Sequence, residues 1–168
     1  MTGPPPAKVR DIPLPASEVL VPDAIVLLKS DHKEVEKLFK QFEKLGDGAA
    51  VTKRKVVDQI IEALSTHAAI EEQHFYPAVR QQASDIEDTV LEGLEEHHIV
   101  KWTLSELQDL PVDHERFDAK VTVLIESVRH HVEEEEGEMF PKAKKAGLDM
   151  VALGNEMAMR KDELAASM

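Results

Sequence analysis

The chain has 168 residues, enough for one domain with its own core, and only 4% of them are aromatic and 7 are glycine, poor material for a strand-rich fold. It has no cysteine, which excludes disulfide scaffolds, thiolate metal sites and cysteine nucleophiles, and its net charge of −13 argues against nucleic acid or anionic membranes as partners. No run approaches the roughly 20 apolar residues of a membrane helix and the N-terminus lacks the apolar core of a signal peptide, so the expectation is a soluble, cytoplasmic protein.

Six of the nine prolines (Pro4, Pro5, Pro6, Pro13, Pro15 and Pro22) fall in the first 22 residues, so residues 1–21 read as an extended Pro-rich arm. A first helix is expected from about Pro22 to Leu45, with Ile25, Leu28, His32, Val35, Phe39 and Phe42 on one face and Gly46 and Gly48 ending it. A second starts near Thr52 as N-cap and carries Val57, Ile60, Leu64, His67, Glu71, His74 and Ala78; Pro77 is expected to kink or end it. The third begins at Ser84, with Glu87 completing a capping box, and aligns Ile86, Val90, Leu94, His97, Val100, Leu104 and Leu107 as far as Pro111. Asp113 is expected to cap the fourth, whose stripe is Val121, Leu124, Val128, His131 and Glu135, with Pro141 in the role of Pro77. The predicted fold is all-α. An up-down-up-down four-helix bundle spans residues 22–146, between the arm (1–21) and a short C-terminal helix (147–168) packed on the bundle.

An internal repeat runs through this pattern. His67-Ala-Ala-Ile-Glu71-Glu72 ends at Tyr76-Pro77, and His131-Val-Glu-Glu-Glu135-Glu136 ends at Phe140-Pro141, both H-x-x-x-E-E-x-x-x-[Y/F]-P without a gap. The odd-numbered helices match less closely, Asp31-His32 against Glu96-His97. The chain therefore reads as two helical hairpins, each offering two His and one Glu. The repeat selects His131 and Glu135 over the equally spaced His130 and Glu134. Between His97 and His98 it favours His97, although Leu91, Leu94 and Trp102 form a second apolar stripe through His98.

Four His and two Glu in stripes otherwise made of Leu, Val, Ile and Phe need a partner, because an unpaired carboxylate in an apolar core costs several kcal/mol. Metal ions remove that cost by demanding carboxylate and neutral imidazole. Residues four apart share a helix face, so each H-x-x-x-E pair presents both groups to one centre. Imidazole and carboxylate without thiolate suit iron, manganese or zinc, and six ligands split between two hairpins suit two bridged ions. A ferritin-like reading uses Glu71-x-x-His74 and Glu95-x-x-His98, but it breaks the repeat and lacks inward Glu on the other two helices.

With Asp31-His32, His67-x-x-x-Glu71-Glu72, Tyr76-Pro77, Glu96-His97, His131-x-x-x-Glu135-Glu136 and Phe140-Pro141 in hand, the chain resembles the hemerythrin family, in its bacterial single-domain HHE cation-binding branch, from about Ile25 to Pro141. The resemblance implies four helices around two non-haem iron ions bridged by an oxo or hydroxo group. It makes His32, His67, His97 and His131 terminal ligands, and Glu71 and Glu135 bridges. Oxygen-carrying relatives place a further His where this chain has Lys101, and an Asp five residues after the last His where this chain has Glu135 at four. His74, then His98, are the candidates to fill the position so left open, with Tyr76 beside it as packing, hydrogen-bonding or ligating aromatic. His114 reads as loop surface. The family includes oxygen carriers, sensors, and proteins that decompose peroxide or handle nitric oxide. The leading expectation is catalase-like decomposition of hydrogen peroxide, with Lys101 and Tyr76 as proton or hydrogen-bond donors; the alternative is reversible oxygen or nitric oxide binding as store or sensor.

Overall fold

A computed structural model describes residues 22–167. The 1–21 arm lies outside the described residues. Seven α-helical segments, some joined by π turns, make five rods: α1 (Ala24–Glu43), α2 (Ala50–Ile70) running through a π turn into α3 (Tyr76–Gln82), α4 (Glu87–Asp109), α5 (Phe117–Glu134) running through a second π turn into α6 (Phe140–Lys145), and α7 (Met150–Ala166). The described residues contain no strand, and no helix among them is long and apolar enough to cross a membrane. α1 packs on α2 and α4 on α5, α2 also meets α4, and α7 lies against α1 and α2.

The helices form where apolar residues recur at three- and four-residue spacing, but their ends are set differently from the sequence expectation. Asp23 caps α1 by accepting from the Val26 N–H at 2.9 Å, and Asp149 caps α7 through the Ala152 N–H at 3.0 Å. Thr52 is not a cap: α2 starts at Ala50 with no side-chain cap. Ser84 and Glu87 form no capping box and Asp113 caps nothing. α4 and α5 instead begin beside Ile86 and Phe117, both fully buried, so core packing sets the start. α1 stops at Glu43, before Gly46 and Gly48, and neither glycine takes positive φ. The left-handed residue is Gly147, at φ +78°, which closes α6 and turns the chain toward α7.

Neither Pro77 nor Pro141 ends its helix. In each hairpin the residue before the proline donates its N–H five residues back, Tyr76 to the Glu71 carbonyl and Phe140 to the Glu135 carbonyl. The wider turn accommodates a ring that carries no N–H and would crowd the carbonyl four residues back. It also shifts the register by one residue. Phe75, Tyr76 and Val79 therefore face inward in place of His74 and Ala78.

The core divides into two apolar clusters. One gathers the N-terminal half of α1, both post-proline segments and α7 around Leu28, Phe75, Phe140 and Met157. The other gathers the C-terminal half of α1 with α2, α4 and α5 around Phe39, Ile60, Leu107 and Phe117. Along each main helix the buried His falls between them: Leu28–His32–Val35, Leu64–His67–Ile70, Val90–His97–Val100 and Val128–His131–Met139. A polar layer thus crosses the middle of the molecule.

Candidate metal centre

The layer is made of His32 on α1, His67 and Glu71 from α2 and its π turn, His97 on α4, and His131 and Glu135 from α5 and its π turn, all buried. One ligand atom from each of His32, His67, Glu71 and Glu135 lies within 4.8 Å of the others, and the same holds for Glu71, His97 and His131. The Nε2 atoms pair across helices: His32 to His67 at 3.2 Å and His97 to His131 at 3.1 Å. Donors about 2.1 Å from one ion and near right angles to each other lie about 3 Å apart, so each pair has the spacing of neighbouring ligands on one ion. Glu71 Oε1 contacts His67 and lies 3.9 Å from His97, while Glu135 Oε1 is 3.3 Å from His32 and 3.1 Å from His131. Each carboxylate therefore stands between the two His pairs.

Both Glu71 oxygens and Glu135 Oε1 are buried without a hydrogen-bond partner. Each such oxygen costs about 1–3 kcal/mol or more when left unsatisfied, and a cation removes that cost. The donor set therefore fits hard-to-borderline metal cations.

Each of the four layer histidines has an acid at its outer nitrogen. His67 Nδ1 faces Asp31 Oδ2 at 3.0 Å, His131 Nδ1 faces Glu96 at 3.4 Å, His32 Nδ1 faces Glu136 at 3.2 Å and His97 Nδ1 faces Glu72 at 3.4 Å. The two-fold repeat explains the pattern. The acid before the odd-helix His supports the even-helix His of its own hairpin, and the second Glu of each E-E supports the odd-helix His of the other hairpin. Such carboxylates orient the ring and leave Nε2 free for a metal. Lys161 of α7 in turn bonds Asp31.

Charge in the layer follows from these neighbours. Burial alone lowers the His67 pKa, but Glu71, Asp31 and Glu135 push it up to about 10. Burial likewise opposes, and Glu135, Glu96 and Glu71 overcome, so that His131 rises to about 11. His97 and Lys101 hold Glu72 down at about 2 against its partial burial.

The family model for the hemerythrin HHE cation binding domain matches residues 23–143. The chain belongs to the hemerythrin HHE family. Among solved structures, a hemerythrin HHE cation binding domain-containing protein from Mycobacterium kansasii is similar in fold, with a TM-score of 0.74 at 22% identity over 87% of this chain and 89% of that one. No curated protein matches the chain.

Within this hemerythrin-like fold the six residues selected by the repeat, His32, His67, Glu71, His97, His131 and Glu135, come together in one layer. The two expected fillers of the open position do not. His74 is turned off the stripe by the π turn and lies 3.8 Å from Glu156 at the surface, and His98 is exposed. Glu95 is exposed as well, so the ferritin-like E-x-x-H pairs do not assemble. Lys101 does not reach the layer: its ammonium bonds Glu72 at 2.8 Å from outside. His130 pairs with Glu134 on the surface, and exposed His114 accepts from the Arg116 N–H.

Tyr76 is inside instead. Its hydroxyl lies 3.3 Å from Nε2 of both His97 and His131 and donates to Glu135 Oε2 at 3.0 Å. Burial, with the Glu71 and Glu135 carboxylates, holds its pKa well above the usual value near 10 and keeps the phenol protonated. Space for the hydroxyl comes from Gly93, where a Cβ would meet Tyr76 Oη at 3.2 Å and His131 Cε1 at 3.4 Å. The equivalent of Gly93 in the first hairpin is Leu28, and the equivalent of Tyr76 is Phe140, which stacks on His32 with ring centroids 6.0 Å apart. The support roles of Asp31, Glu96 and Lys161 are missed by sequence reasoning; only the acid preceding His in both odd helices hints at the first two.

Proposed function

We propose that this chain holds two non-haem iron ions between its hairpins, in an up-down-up-down bundle of α1, α2, α4 and α5, and decomposes hydrogen peroxide. The observation that carries the reading is the pair of buried carboxylates with unpartnered oxygens, Glu71 and Glu135, each between two imidazole pairs. In this reading His32 and His67 serve one ion, His97 and His131 the other, and Glu71 and Glu135 both. Two such ions supply reversible exchange of two electrons with a small oxygen-derived ligand.

The rest is done by the protein. Six ligand residues for two ions leave positions for a small ligand; the groups proposed from sequence to fill them, His74 and His98, lie outside, and so does Lys101, the expected proton donor. Tyr76 is the proton-bearing side chain facing the His97–His131 side, and its hydroxyl can donate a hydrogen bond there while Glu135 orients it. Phe140 gives the His32–His67 side an apolar backing, so the two halves differ in proton supply. Lys101 acts only through Glu72, which it holds against His97. Peroxide disproportionation, two molecules giving two of water and one of oxygen, needs no further reductant.

Metal analysis of protein made in iron-replete medium, with oxygen evolution on adding peroxide, tests the proposal. About two irons per chain and rapid oxygen evolution are expected, with activity lost in Glu135→Ala, iron lost in His131→Ala and neither changed in His114→Ala. One zinc per chain, or native iron content in His131→Ala, overturns the ligand assignment. A stable, reversible oxygen spectrum without oxygen evolution assigns the protein to storage or sensing instead.

A further inference from the structure

A cavity of about 700 Å³ reaches the four histidines, His32, His67, His97 and His131, and opens between α1 and α5. Its walls are apolar, formed by Val35, Phe39, Leu64, Val100, Val128 and Val132. A ligand the size of peroxide needs little more than the ~30 Å³ of one water molecule, so the small-ligand reading leaves this volume unexplained. Pockets of roughly 300–1,000 Å³ with apolar walls enclose organic molecules.

The mouth has a charge of its own. Lys33, Lys37 and Lys40 line it from α1, all exposed and spaced so that they follow one helix face. None of the three has an ion-pair partner among the described residues. The acids at the same mouth are mostly engaged: Glu36 accepts from Arg129 at 2.8 Å, and Glu136 faces His32. Counted over the whole lining, Lys33, Lys37, Lys40 and Arg129 stand against Glu36, Glu133 and Glu136, one positive charge in excess on a chain of net charge −13.

We propose that the cavity binds a single-chain fatty carboxylate, with its hydrocarbon tail in the shaft and its carboxylate at Lys33, Lys37 and Lys40. An apolar shaft under a cationic rim complements an apolar tail under an anionic head. This site is independent of which small ligand the metal layer handles.

Dodecanoate, titrated into the full-length metal-loaded protein against a displaceable fluorescent fatty-acid probe, tests it. Saturable one-to-one binding is expected, with dodecyltrimethylammonium, which has the same tail and the opposite head, about tenfold weaker or worse. Val128→Trp fills the shaft and abolishes binding. Lys33→Glu with Lys37→Glu and Lys40→Glu, all on exposed positions, weakens dodecanoate about tenfold or more with unchanged helical circular dichroism. Absence of saturable binding, equal affinity for the two head groups, or undiminished affinity in the triple lysine variant each overturns the proposal. Should Val128→Trp fail to fold, the lysine variant decides. Iron content and oxygen evolution read on the same samples separate the two proposals, since iron-loaded protein that binds dodecanoate but evolves no oxygen from peroxide sinks the peroxide reading and leaves this one standing.

Discussion

Tyr76 and Gly93 are where the two halves of the repeat part company. A hydroxyl-bearing ring faces a glycine in one half, and Phe140 shares its apolar cluster with Leu28 in the other, so a single oxygen distinguishes the environments of the two His pairs. Tyr76→Phe deletes that oxygen with little change in volume. Iron content is expected to stay at two per chain while peroxide turnover falls about 100-fold, the usual scale for a positioned proton donor. Stability falls by about 1–3 kcal/mol, because Glu135 loses a buried partner. Wild-type oxygen evolution from the variant would remove Tyr76 from the chemistry. Lys161 works at greater remove, through Asp31 to His67. In Lys161→Ala, chelator competition is expected to show metal affinity about 10–100-fold weaker with the fold intact, as for other losses of ligand support.

At the level of elements, the π turns do two things in one step. They let each helix continue past its proline, and they bring Tyr76 and Phe140 under the metal layer where an unbroken α-helix would bring His74. α7 is docked just as closely. Gly154 meets the start of α1, where a Cβ would lie 2.5 Å from the Pro22 carbonyl oxygen and 2.8 Å from the Ala24 nitrogen. Alanine in place of glycine inside an isolated helix gains about 1 kcal/mol. In Gly154→Ala the sign reverses, with an expected loss of about 1–3 kcal/mol as backbone is pushed from backbone. Thermal unfolding reads the outcome; a raised melting temperature would show that α7 does not rest on α1 as closely as described.

For the molecule as a whole, proton and metal compete for the same nitrogens. Without metal, folded His67 and His131 hold their protons up to about pH 10 and 11, whereas an unfolded chain releases them near 6.5. The folded state binds more protons through that window. Their stabilisation is therefore complete below about pH 6.5 and is lost as pH rises through 10 to 11. Metal requires neutral imidazole, so its binding releases about two protons per chain and tightens as pH rises. Melting curves from pH 7 to 10 should show the metal-free protein losing stability and the metal-loaded protein widening its lead. A constant interval between the two would mean that these histidines are already neutral in the metal-free state.

The identity of the six central residues was legible in the sequence, because His and Glu four apart on one helix face are a local matter and the repeat states it twice. The all-helical class and the breaks near Gly46 and Pro111 were legible for the same reason, although the cap at Thr52 was misplaced, and those at Ser84 and Asp113 were too, because buried Ile86 and Phe117 outweigh a weak local signal. What tertiary structure alone decided depends on residues far apart in the chain. His32 meets Glu136 across 104 positions, Tyr76 meets Glu135 across 59, and Lys161 meets Asp31 across 130. No helical period encodes such pairings. They arise when the helices close around one polar layer and the buried nitrogens and oxygens are brought within reach of partners from other helices.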